Sequence, residues 1–143
     1  MSAVSQFLGP KACSFDTSCA LGSKVFIPPQ GLASLICKAG GTAWIVAPNT
    51  AEVSRTWYCI QDAITQAQNI TGALGWFVPS VGQLQNPGYI CRTYWDSFSA
   101  TFYWSSTECN ATFGCIVRFT DGGAFNNPKS GTYCVRAFRA VTY

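Results

Sequence analysis

Residues 42 to 48, TAWIVAP, form an apolar run closed by Pro48, the pattern of a buried strand. The period then changes. Trp57, Ile60, Ile64 and Ala67 stand three, four and three residues apart, which places them on one face of a helix running from Trp57 to a stop at Thr71-Gly72. After Pro79, Ser80 and Gln83 have capping-box spacing, so Ser80 can accept a free backbone N–H while the Gln83 side chain reaches back to it. A short helical turn is expected there, stopped by Asn86-Pro87-Gly88. The rest of the chain reads as strand: TFYWSS from Thr101, GCIVRFT from Gly114, and TYCVRAFRAV from Thr132 as one run. In the first of these, alternation puts Phe102, Trp104 and Ser106 on one face and Tyr103, Ser105 and Thr107 on the other. Asp121-Gly122-Gly123 is a turn signal.

Upstream of residue 41 the pattern is broken by Gly9-Pro10, Gly22 and Pro28-Pro29, with short apolar pieces such as Val25-Phe26-Ile27 between them. Two readings stay open for 1–40: an irregular arm that docks on its own domain or a neighbour, or an ordinary first strand. The expected organisation is thus an arm over 1–40 and one domain over 41–143. That domain is of α+β class, with one main helix, a short second helix and a twisted, mostly antiparallel sheet. A chain of 143 residues is long enough to bury roughly two-thirds of its unfolded surface in a single core.

Composition sharpens this picture. Only 10% of residues are charged while 48% are hydrophobic and 15% aromatic, against about 25% charged in ordinary soluble domains. Much of the surface must therefore be neutral or covered, which suits an assembly member or a homo-oligomer. The net charge of +3 comes from scattered basic residues, not from the stripe that nucleic acid requires. No apolar window approaches the ~18 residues of a membrane helix, and the start MSAVSQFLGPKACSFDTSC lacks the basic and apolar regions of a secretory leader. The eight cysteines are then expected to be mainly buried thiols, as in a chain assembled in a bacterial cytosol. An exported chain would carry disulfides instead.

The candidate chemistry is sparse. With no histidine in the chain, a cysteine nucleophile lacks its usual base and a serine triad its centre. Asp96, Glu108 and Asp121 are the carboxylates near the aromatic loops that a two-carboxylate mechanism would need. No close pair of cysteines marks a metal site. The expectation is no catalysis, no metal and no cofactor. Binding fits better: Tyr94, Trp95, Phe98, Phe113 and Phe125, with Asn110, Asn126 and Asn127, fall in or beside the expected loops between 92 and 131. Exposed rings with neighbouring amides suit sugar faces or protein pockets, while the competing reading places most of these rings in the core.

The order of pieces, a Trp57-led helix, GWFVPSVGQL at 75–84, YWSSTE at 103–108, VRFTDG at 117–122 and YCVRAFR at 133–139, resembles the DUF1566 family. That family is also met as the C-terminal domain of Legionella collagen-like adhesins. Its pattern runs W-R-L-P-T-x-x-E-L, then Y-W-S-S-T-E, then Y-x-V-R, and the likeness spans roughly 42–141. It implies a C-type-lectin-like fold in which Trp57, Trp76, Pro79, Ser80, Gln83, Tyr103, Trp104, Ser105, Ser106, Thr107, Glu108 and Arg136 are structural. Trp104 would anchor the core, the hydroxyl residues would bond nearby backbone, and Glu108 would pair with Arg136 or Arg139. Phe77 and Gln83 replace the family's Arg and Glu, so neutral hydrogen bonding is expected where the family has an ion pair. The Glu-Pro-Asn and Gln-Pro-Asp motifs of calcium-dependent lectins are absent. The resemblance further implies a surface protein of a tailed-phage virion, a capsid decoration or a fibre or tail-tip subunit. Its partners would be other virion proteins, further copies of itself, and a host glycan or protein. The alternative is a bacterial secreted or cell-surface adhesin.

Overall fold

The computed structural model describes residues 13–14, 21–22, 24–27, 31–98 and 100–142. Among these the architecture is α+β, with two five-stranded sheets in place of the single sheet expected. The first sheet has the order β1 (Cys13–Ser14), β2 (Lys24–Ile27), β3 (Gly31–Ala39), β4 (Thr42–Val46), β10 (Phe138–Thr142). The second has the order β5 (Val53–Thr56), β9 (Thr132–Val135), β6 (Phe102–Glu108), β7 (Phe113–Arg118), β8 (Ala124–Pro128). Pairing is antiparallel except for β1 with β2 and β6 with β9.

The division into two sheets comes from a feature that alternation hides. TYCVRAFRAV is two strands, not one: β9 ends at Val135, the chain turns through Arg136-Ala137, and β10 resumes in the other sheet against β4. Both linking residues are buried, at 1% and 0% exposure. Phe138 then exchanges two backbone hydrogen bonds with Phe77, of 2.8 and 2.9 Å, which fixes the GWFVP segment beside the start of β10. Of the two readings of the N-terminal segment, Gly31–Ala39 is a strand whose Ala33, Leu35 and Ile36 are fully buried. The remainder of the proposed arm lies largely outside the described residues.

The main helix, α1, spans Asp62–Thr71 and begins later than the apolar period predicts. Trp57 to Cys59 make a separate 3-10 turn, so Trp57 is not on the helix face. Its ring lies across Gly114 of β7, where a Cβ would come within 2.5 Å of it, and its indole N–H donates to the Ser105 carbonyl at 3.0 Å. Small residues on α1, Ala63 and Ala67, are fully buried and allow close approach to the core. The helix ends at Gly72, whose φ of +72° is a left-handed cap. Thr71 closes the last turn: its hydroxyl donates to the Ala67 carbonyl at 2.7 Å and accepts the Trp76 indole N–H at 3.1 Å.

The capping box at 80–83 forms with both bonds in place. The Gln83 N–H donates to Ser80 Oγ at 3.2 Å and the Ser80 N–H to Gln83 Oε1 at 2.9 Å. The helical turn α2 (Val81–Gln83) continues as wider turns to Tyr89, interrupted at Asn86, whose φ of −146° and ψ of 113° follow from the steric restriction that Pro87 imposes on the residue before it.

Two apolar clusters result. One gathers Leu35, Ile45, Trp76, Trp104, Ile116 and Val135 with the buried face of α1; the other gathers Ile36, Val46, Leu84, Trp95, Tyr103, Val117, Phe119 and Phe138. Adjacent residues Tyr103 and Trp104 enter different clusters and both are fully buried, so β6 is covered on both faces. Full burial of a Leu or Ile in these clusters stabilises by about 1.5–3 kcal/mol.

Candidate functional site

The link between the sheets needs its backbone and charge satisfied, and Arg136 does both from one buried side chain. Its Nε donates to the Ala47 carbonyl at 2.8 Å and its Nη1 to the Ser97 carbonyl at 2.5 Å. Nη1 also meets Glu52 at 3.3 Å, Nη2 pairs with Asp96, and the guanidinium lies 5.1 Å from the centre of the Trp95 ring. Glu52 in turn accepts the Tyr103 hydroxyl at 2.5 Å. Burial first, and the Glu52 carboxylate second, hold the Tyr103 hydroxyl well above its ordinary range. The same two causes push the Cys134 thiol up to about 11. These groups keep their protons at neutral pH, and the cluster is a structural clamp on the loops at 47–52 and 95–97.

Glu108 therefore has a different partner from the one expected. It pairs with Lys129, which is 4% exposed, also donates to the Ala111 carbonyl at 3.0 Å, and lies over the Trp57 ring. The pairing follows from register. The turn between β6 and β7 brings Glu108 opposite Gly114, which in turn pairs with Asn127, whereas Arg136 is committed at the sheet junction. Arg139 lies beside Gly75. Cys109 and Cys115 close a disulfide across this same turn. Cys37, Cys59, Cys91 and Cys134 are free thiols.

The YWSSTE segment is joined along its length to the 79–83 segment and to β7. The Trp104 indole N–H donates to the Arg55 carbonyl at 3.0 Å. Ser105 Oγ donates to the Cys115 carbonyl at 2.7 Å and accepts from the Thr107 N–H at 3.2 Å. The Ser106 N–H donates to the Pro79 carbonyl at 2.9 Å, and Thr107 Oγ1 accepts the Val81 N–H at 2.9 Å. Phe77 packs edge-on against Trp44.

The residues singled out for binding separate into three groups. Trp95 is 6% exposed and sits among Phe98, Tyr103, Phe119 and Phe138, with Phe98 packed on the same cluster. Trp95 belongs to the core and the half-buried Phe98 packs against it, because the 92–98 segment folds back onto the second cluster. Phe113 is half-buried, and Asn127 accepts the Tyr133 hydroxyl at 3.0 Å. Asn110 is exposed and shapes the turn by accepting the Thr112 and Phe113 N–H groups, both at 2.8 Å. Tyr94, Phe125 and Asn126 remain outward. Phe125 and Asn126 are successive residues of edge strand β8 and point to opposite faces. Phe125 lies opposite Ile116 and under the Arg118 guanidinium, 4.6 Å from its ring centre, while Asn126 lies opposite Cys115.

The three carboxylates considered for acid–base chemistry do not share a site. Asp96 is held by Arg136, Glu108 by Lys129, and Asp121 by Arg118. The Arg118 hydrogen bond first, and the Gly123 N–H next, lower the Asp121 carboxyl to about 2. Sequence reasoning missed Glu52 and Lys129 as members of buried polar clusters. A lysine following Asn-Asn-Pro, and a glutamate between a 3-10 turn and a strand, read as ordinary surface residues.

No family model matches the chain, and no curated protein matches its sequence. Among the described residues no helix is long and apolar enough to cross a membrane.

Proposed function

We propose that this chain is a C-type-lectin-like domain acting as a non-enzymatic surface subunit of a tailed-phage virion, a capsid decoration or a fibre or tail-tip protein. It works through protein–protein assembly and through contact with a host glycan or protein. The observation that carries the reading is a division of labour between residues. The motif residues Trp57, Ser80, Gln83, Trp104, Ser105 and Thr107 are engaged with one another or with neighbouring backbone, and Trp76 with the Thr71 hydroxyl. Large apolar groups elsewhere face outward, including Tyr58, Leu74, Ile90, Tyr94 and Phe125. A scaffold of this kind supports contact chemistry at its surface, since aromatic side chains are enriched at interfaces.

The runner-up is a bacterial secreted or cell-surface adhesin, favoured by one observation, the Cys109–Cys115 disulfide. Disulfides persist at virion surfaces and in exported proteins alike, so location separates the two readings. Immunogold labelling of an expressing culture is expected to mark the capsid or tail of released particles. Label confined to the bacterial envelope would overturn the virion reading in favour of the adhesin.

A further inference from the structure

Strand β3 carries an irregularity that re-aims one cysteine. Leu35 lies opposite Ile45 and Cys37 opposite Trp44, so Ile36 between them is an extra residue and the strand bulges. Leu35 belongs to the first cluster, yet Ile36 and Cys37 both turn to the second. Cys91 packs on the same cluster as Cys37, on the segment between two turns, 84–89 and 92–94, that are both set against β3. The backbone around Cys91 is held on both sides. Its N–H donates to the Pro87 carbonyl at 2.9 Å, and its carbonyl accepts the Tyr94 N–H at 3.0 Å. The 92–94 turn that follows is set against β3. Among the described residues the other two free thiols have different surroundings: Cys59 is exposed and Cys134 is half-buried on β9.

We propose that Cys37 and Cys91 form a covalent modification site, closing to a second disulfide when the folded chain meets a low-molecular-weight disulfide such as glutathione disulfide. One cysteine loses its proton and its thiolate attacks the small disulfide, forming a mixed disulfide and releasing one small thiolate, which is then protonated. The second cysteine, deprotonated in turn, attacks the protein sulfur of the mixed disulfide and expels the second small thiol. The protein pair is oxidised by two electrons, and one small disulfide is reduced to two thiols. Burial first, and the Cys37 sulfur second, push the Cys91 thiol up to about 11, so its thiolate is scarce at neutral pH and closure is slow. The link ties β3 to the segment that carries Trp95. It goes beyond the functional reading and holds for either an adhesin or a virion protein.

The test uses the full chain, folded, incubated with glutathione disulfide, then alkylated in denaturant and mapped by mass spectrometry without reduction. The expected map holds a Cys37–Cys91 linked peptide beside the Cys109–Cys115 one, and the oxidised chain unfolds at higher urea than its untreated form. The inference is overturned if Cys37 and Cys91 are both fully alkylated while Cys109–Cys115 is intact, if a mixed disulfide accumulates without closing, or if Cys91 is joined to any other cysteine. Because the wild-type chain is mapped, the test does not depend on a variant that folds.

Discussion

Replacing Arg136 with methionine keeps most of the side-chain volume and removes the charge at the junction of the two sheets. The Glu52 carboxylate, with a side chain 8% exposed, then loses its cation, as does Asp96, and the Ala47 and Ser97 carbonyls lose their donors. Removing one partner of a buried ion pair destabilises by about 3–5 kcal/mol. Glu52 keeps the Tyr103 hydroxyl, so we expect the lower part of that range, about 3–4 kcal/mol. Against a total of about 5–15 kcal/mol this is a large fraction of the stability of a domain. Lysine at 136 should recover little, because one ammonium cannot serve four acceptors set around a planar fork. Adding Glu52→Gln to Arg136→Met removes the more buried of the two stranded charges and should restore about 1–2 kcal/mol. Urea unfolding followed by tryptophan fluorescence, with the Cys109–Cys115 disulfide kept oxidised, measures all three. The reasoning fails if Arg136→Met stays within about 1 kcal/mol of the parent, or if the second substitution adds to the damage.

Three further expectations follow from local geometry. In Gly114→Ala the new Cβ meets the Trp57 ring at 2.5 Å; that ring is pinned by Ser105 and covered by Lys129, so a loss of about 1–3 kcal/mol should appear in the urea midpoint, and an unchanged midpoint would contradict the packing. Asp121 has a folded pKa of about 2, below its unfolded value near about 3.9, so its contribution is present above the unfolded value and lost as pH falls toward 2. An NMR titration of its carboxyl should move up toward the ordinary value in Arg118→Gln, and an unmoved midpoint would count against Arg118 as the cause. Replacing Cys109 and Cys115 together by serine opens a loop with a sequence separation of 6 and should lower stability by about 2 kcal/mol in the same urea assay; equal stability with and without the bond would refute that share.

The parts of this fold that sequence made legible are those written within a few residues. The Ser80–Gln83 box forms as its spacing implies, because both of its bonds are local. TAWIVAP becomes β4, and Asp121-Gly122-Gly123 becomes a turn with Gly122 at a φ of +76°. The apolar period runs further upstream than the helix does: Trp57 fits its spacing by coincidence, and a ring seated on Gly114 leaves no trace near residue 57. The sheet break at Arg136-Ala137 was hidden because the apolar residues continue through it. The same limit governs the polar clusters. Glu52 meets Arg136 84 residues away and Asp96 meets it 40 away, and Lys129 meets Glu108 across a register that only the folded hairpin defines. Among the aromatics, composition could not separate Trp95, which is core, from Phe125, which is not.

If scaffold and contact surface are carried by different residues, the two can be lost separately. The most direct measurement is the particle association of a chain carrying Phe125→Ala and Asn126→Ala, followed by gradient sedimentation beside the wild type, with its urea midpoint recorded. An unchanged midpoint and a loss of the chain from the particle fractions are expected. Full retention on particles by a stably folded double variant would contradict that separation.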